Sequence, residues 1–190
     1  LAGDLERRKQ ARMFLFSHLF GPFIGNVVPA AVYVLDPHPT YDVAVLAISI
    51  TAFWAFPFVL KKFGHYNILV LISVQSLIFC ILWSCYFYGG VSSPTVPWVL
   101  TIPLLAFFYI GPHSPLRLKL LGLFVLNVIG FVTVYQLDPT GGKELPVVSM
   151  QGLGIVSTTC TALYVTMMAI YYAKILASGS ELESEMKHHL

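Results

Sequence analysis

Uncharged residues fall into long blocks along this chain, separated by short polar or charged stretches. No Asp, Glu, Lys or Arg occurs from Met13 to Leu35, Val43 to Leu60, Phe63 to Leu116, Leu120 to Leu137, or Val147 to Ala173. Inside these blocks apolar residues take every face of a helix. Such a helix has no polar side to turn to water and belongs in an apolar surrounding. About 20 residues of this kind cross a hydrocarbon core of about 30 Å. Glycines, prolines and charges punctuate the blocks and predict six spans, at 13–34, 42–60, 65–88, 98–110, 116–136 and 146–177. Pro29 is expected to bend the first, and Pro57 lies near the end of the second. The fourth is short for a span, about 20 Å long. The fold class is therefore all-α: a polytopic membrane protein of six transmembrane helices.

Composition agrees. The chain has 190 residues, 57% of them hydrophobic and 11% charged, with a mean hydropathy of +0.77. An ordinary soluble domain carries about 25% charge. The placement of charge says more than the net +2. Arg7, Arg8, Lys9, Arg12, Lys61, Lys62, Arg117, Lys119, Lys174 and Lys187 all fall on one side of the predicted spans. Only Lys143 falls on the other, beside Asp36, Asp42, Asp138 and Glu144. Basic residues stay on the cytoplasmic side, so both termini are expected in the cytoplasm. No nucleic-acid partner is expected. Nothing at the start has the layout of a cleaved signal peptide, and the first residue is Leu, so a longer parent chain is expected. Cys80, Cys85 and Cys160 all lie in apolar runs at spacings that match no zinc or CxxC pattern, and read as buried thiols.

The ends differ from the middle. Residues 1–12 form a charged, helix-permissive lead-in, and 178–190 (SGSELESEMKHHL) carry Leu182, Met186 and Leu190 every fourth position among charges. A narrow apolar stripe on a charged helix suits a two-stranded coiled coil. Three parts are thus expected: the lead-in, a six-helix domain over 13–177, and the start of a cytoplasmic signalling helix in which Leu182 and Met186 would relay a signal.

Chemistry is sparse. No ionisable acid or base lies deep in a span, which counts against an ion-coupled transporter, though a small transporter stays an alternative. No nucleotide loop, HExxH or nucleophile elbow occurs, so no catalytic residue is expected here. The polar groups inside the spans are His18, Asn26, Gln75 and Asn127. In hydrocarbon each needs a partner, either across a helix interface or from a ligand in a polar-lined cavity. Together with Trp98, near the edge of the fourth span, they are the candidates for binding a small amphipathic or lipid-like ligand. His18, His65 and His113 are expected at similar depth on one side, where three imidazoles could hold a metal or haem b. The alternative is three separate interfacial histidines.

The stretch 89–112, GGVSSPTVPWVLTIPLLAFFYIGP, carries Gly89-Gly90, Ser93-Pro94, Trp98 and Pro103-Leu104-x-Ala106. With SHLFGP at 17–22, FWAFPF at 53–58 and SVQ at 73–75, it resembles the six-helix membrane sensor region of bacterial hybrid sensor histidine kinases. Related six-helix anchors precede class III adenylate cyclases. The resemblance implies a sensory input domain in the bacterial inner membrane, in a parallel homodimer, with the sixth helix running into a signalling coiled coil of a two-component system. The cyclase relatives imply as an alternative a haem-binding, quinone-responsive anchor using His18 and its neighbours.

Overall fold

The computed structural model describes residues 2–111, 114–138 and 142–188. They form eight α-helices: α1 (Ala2–Gly25), α2 (Val27–Leu35), α3 (Tyr41–Thr51), α4 (Ala55–Phe63), α5 (Tyr66–Phe87), α6 (Thr101–Tyr109), α7 (Leu116–Leu137) and α8 (Val147–His188). The charged lead-in is helical from Ala2 and runs into the first apolar block without a break.

Prolines cut two spans into pieces. Pro29 has no N–H to give the carbonyl of Gly25, and α1 ends there; α2 starts two residues on. Asn26, at the junction, donates its side-chain amide to Thr51 Oγ1 at 3.2 Å. Likewise Pro57 cannot bond the Phe53 carbonyl, and the chain tightens into a 3₁₀ turn over Ala52–Trp54 between α3 and α4. The two helix pairs still make continuous rods, Leu5–Leu35 and Tyr41–Phe63.

With α5, α7 and α8 they give, among the described residues, five helices long and apolar enough to cross a membrane. The sixth, expected at 98–110, is a 3₁₀ turn over Val96–Leu100 followed by α6. It reaches roughly 20–25 Å, less than a bilayer core. Two prolines explain the mixed geometry: Pro97 opens the turn, and Pro103 removes a further helical bond near its junction with α6.

Packing centres on α1, α5 and α8. Helix α8 lies against α1 and α2, α5 against α3, α6 and α7, and α1 against α6. Met13, Phe14, Val74, Ile78, Tyr109 and Met168 anchor the larger core; Val28, Val32, Val43, Tyr88 and Leu153 form a second one nearer the other end. Helix α7 buries only Leu116 and Leu120. Leu123, Phe124 and Phe131 are half-buried against the larger core, while Leu118, Leu121, Val125, Leu126, Ile129, Val134 and Leu137 are exposed, as on a lipid-facing helix, since hydrocarbon outside is as apolar as the core inside.

Two features fix the end of the bundle opposite the N-terminus. Gly90 has φ +60° and sits so close under the Tyr135 ring that any Cβ would overlap it. Beside it, Lys143 Nζ lies 2.7 Å from Asp36 Oδ2 and 3.0 Å from Asp42 Oδ1. Asp42 also accepts hydrogen bonds from the hydroxyls of Tyr88 and Thr40, and the Lys143 N–H donates to the Phe87 carbonyl at 2.8 Å. The loops after α2, α5 and α7 are thereby tied together.

Helix α8 runs 42 residues without interruption, about 63 Å. No break separates the sixth span from the tail. Leu182 and Met186 lie on this described backbone, while their side chains, and residues 189 and 190, lie outside the described residues.

Candidate functional site

Helix periodicity puts the site together. Phe14, Ser17, His18 and Gly21 fall at i, i+3, i+4 and i+7 along α1, on one face. Along α5, Ser73, Leu77, Cys80, Ile81 and Ser84 repeat the same spacing. These two faces, with Leu46 and Phe53 from the second rod, Trp98 and Tyr109 from the fourth, and Tyr164 of α8, enclose a cavity of about 80 Å³. Glycine allows the close approach at one wall: a Cβ on Gly21 would lie 3.3 Å from Tyr164 Cε2.

His18 is the knot at the floor. It is 2% exposed. Its Nδ1 lies 2.7 Å from the Phe14 carbonyl oxygen and its Nε2 lies 2.7 Å from Ser73 Oγ. A carbonyl only accepts, so Nδ1 carries the proton, and Ser73 donates to Nε2. The ring stacks on Phe14 with centroids 3.9 Å apart. Next to it, Ser17 hydrogen-bonds the Tyr109 hydroxyl, and Tyr66 donates its hydroxyl to the Tyr109 carbonyl at 2.8 Å. Helices α1, α5 and α6 are thus stitched through polar groups that hydrocarbon could not satisfy. The Ser73–His18 pair has the spacing of a nucleophile and its base. Among the described residues no carboxylate orients the imidazole, however, and the bond serves as a tie between helices.

The residues anticipated from sequence separate into two groups. His18 and Trp98 line the same cavity. Asn26, Gln75 and Asn127 do not. Gln75 Nε2 donates to Asn127 Oδ1 at 3.0 Å, Asn127 Nδ2 returns a bond to Gln75 Oε1 at 2.9 Å, and Asn127 also donates to the Leu123 carbonyl at 2.8 Å. That reciprocal pair clamps α5 to α7. Ser73, Ser84, Thr95, Tyr109 and Tyr164, all in the cavity wall, carried no distinguishing signal. A serine or tyrosine in an apolar run is too common to single out.

The haem or metal alternative would draw on His18, His65 and His113. Both ring nitrogens of His18 are engaged within the protein. His65 precedes the first residue of α5 and is exposed, and His113 lies outside the described residues. Among the described residues no three His, Cys, Asp or Glu side chains converge as a metal site would require.

The walls of the cavity are mostly aliphatic and aromatic, no Asp, Glu, Lys or Arg lines it, and a few polar tips point inward. Small-molecule sites have this make-up. Compared with models of known protein families, with curated proteins and with solved structures, the chain matches none.

Proposed function

We propose that this chain is the membrane-embedded sensory input domain of a bacterial signal-transduction enzyme, a hybrid histidine kinase in the first instance, acting as a parallel homodimer. One observation carries the reading. The same unbroken helix α8 contributes Tyr164 to the cavity and extends 24 residues further, to His188. At about 63 Å it is twice the thickness of a bilayer core. A change in the cavity's occupancy pushes on a rod that leaves the membrane, and such a rod can pass on a rotation or a shift of register. The two states need to differ by only a few kcal/mol. Ten of the eleven Lys and Arg residues fall at the end where α8 emerges, which supports placing that end in the cytoplasm.

Disulfide mapping tests the relay. With Cys80, Cys85 and Cys160 replaced by Ala, Leu182→Cys and Met186→Cys are each expected to cross-link efficiently in membranes, and Ser184→Cys poorly. One residue inserted at Ser180 turns the downstream helix by about 100°, and signal-dependent regulation of the full-length enzyme is expected to be lost. Equal cross-linking at all three positions, or regulation that survives the insertion, sinks the proposal.

A further inference from the structure

We propose that the cavity binds an uncharged amphiphile through a hydrogen-bond acceptor, such as an ester carbonyl, presented to Trp98 and Ser84. The sensory reading gives that binding its purpose, but the binding itself does not depend on it.

Two cavity groups lack partners. The Ser84 hydroxyl and the Trp98 indole N–H are both buried, and neither has a hydrogen-bond partner among the described residues. Ser84 is 3% exposed. The other polar tips nearby are engaged: His18 with Ser73, Ser17 with Tyr109, and Thr95 with Ser93 Oγ at 2.9 Å. The remaining tryptophans are also satisfied, Trp54 donating to the Leu19 carbonyl and Trp83 to that of Asp42, each at 3.0 Å. A buried donor without an acceptor is costly, so these two groups mark where an occupant belongs.

Their chemistry selects the occupant. An indole N–H only donates, so the occupant supplies an acceptor. A serine hydroxyl adds a second donor. The wall holds no charged side chain, and a bare carboxylate or ammonium placed there would be desolvated without compensation. The occupant is therefore neutral. Val28, Leu46, Leu77, Ile81 and Leu105 supply the apolar wall. A water needs about 10–15 Å³ on the same scale, so about 80 Å³ holds a polar head and its first few carbons. A longer tail leaves past Ile50 and Phe53, which line the cavity and are partly exposed on the bundle's surface.

The acceptor can come from a diffusible amphiphile or from the ester of a membrane lipid, and one experiment separates them. The full chain, with ¹⁵N-labelled tryptophan, is placed in nanodiscs of ether-linked phosphatidylcholine, which has no carbonyl. Methyl hexanoate is expected to move the Trp98 indole N–H resonance saturably, leaving those of Trp54 and Trp83 in place. Hexane and hexanoate are expected to move none. Ser84→Ala should weaken the methyl hexanoate response about threefold to tenfold, the worth of one neutral hydrogen bond, whereas Ser76→Ala, on the same helix but outside the cavity, should not. If changing to ester-linked lipid shifts Trp98 without any added probe, the bilayer itself supplies the acceptor and the proposal holds with a lipid occupant. No Trp98 shift under either condition, the result expected if only water fills the cavity, overturns it. So does an equal response to hexane. Neither result touches the cross-linking pattern at Leu182 and Met186, which judges the relay separately.

Discussion

His18 Nε2 and Ser73 Oγ lie 2.7 Å apart although 55 residues separate them in the chain. This bond holds α1 against α5 at the cavity floor. Ser73→Ala keeps the small volume but leaves a buried imidazole nitrogen without its donor. The expected loss is about 1–2 kcal/mol of stability, by the range for lost hydrogen bonds in proteins and in membranes. His18→Leu removes the other partner together with its stack on Phe14. A double-mutant cycle of reversible unfolding in mixed micelles should return a coupling of about 1 kcal/mol. Strict additivity would mean that the two side chains do not interact.

The Gln75–Asn127 pair behaves differently because each amide answers the other. Gln75→Leu alone strands an acceptor and a donor of Asn127, and Asn127→Leu does the same to Gln75. Either single change is expected to cost about 1 kcal/mol or more. Replacing both by Leu removes all the stranded groups at once, so the double variant should be more stable than the sum of the singles predicts. Since neither amide reaches the cavity, the Trp98 response to methyl hexanoate should be untouched in all three.

These residues show what could be read in advance. The apolar blocks that become the five long helices follow from where charge is absent and where glycine and proline punctuate, because a charge in hydrocarbon is expensive wherever it sits in the sequence. A bend at Pro29 was legible because a proline's effect is local, whereas the 3₁₀ turn at Ala52–Trp54, ahead of Pro57, was not anticipated. Partners are another matter. That Asn127 needs a hydrogen bond is legible from its place in an apolar run; that Gln75 provides it depends on how α5 and α7 are rotated, which is settled by the packing of the whole bundle. Lys143 could be placed on the same side as Asp36 and Asp42, but not within 3.0 Å of Asp42. The cavity was the least legible feature. It is a space left between five helical segments, and Ser84 becomes notable only once its neighbours fail to pair with it.

Gly21 sets the spacing of α1 and α8 beside that space. Its missing Cβ would meet the edge of the Tyr164 ring at 3.3 Å. Gly21→Ala asks the ring to move a few tenths of an ångström, and the helix gains from losing a glycine, so stability should change by less than about 1 kcal/mol. Gly21→Leu fills the cavity and forces Tyr164 aside, at about 1–3 kcal/mol for overpacking. Its decisive readout is binding: Gly21→Leu should abolish the Trp98 shift with methyl hexanoate while Gly21→Ala retains it. If Gly21→Leu still binds the probe fully, the occupant lies elsewhere.

Lys143 faces two carboxylates that are nearly inaccessible, Asp36 at 3% and Asp42 at 0% side-chain exposure. Burial opposes the charge on Lys143, but the hydrogen bonds and fields of Asp36 and Asp42 outweigh it and hold its pKa above the ordinary lysine value. A lysine whose folded pKa is raised gives stability that is fully present below its unfolded pKa of about 10.5 and lost as pH climbs through the raised folded value. The thermal midpoint should therefore show no Lys143 contribution to its slope near neutrality and should fall in the alkaline range above about pH 10.5. Lys143→Met leaves the two carboxylates facing each other without a cation, and removing one partner from such a buried set costs about 3 kcal/mol. That variant should melt lower at pH 7 and lose part of the alkaline fall, since the group that titrates there is gone. An alkaline transition identical in the two proteins would show that the Lys143 link to Asp36 and Asp42 contributes nothing to holding this end of the bundle closed.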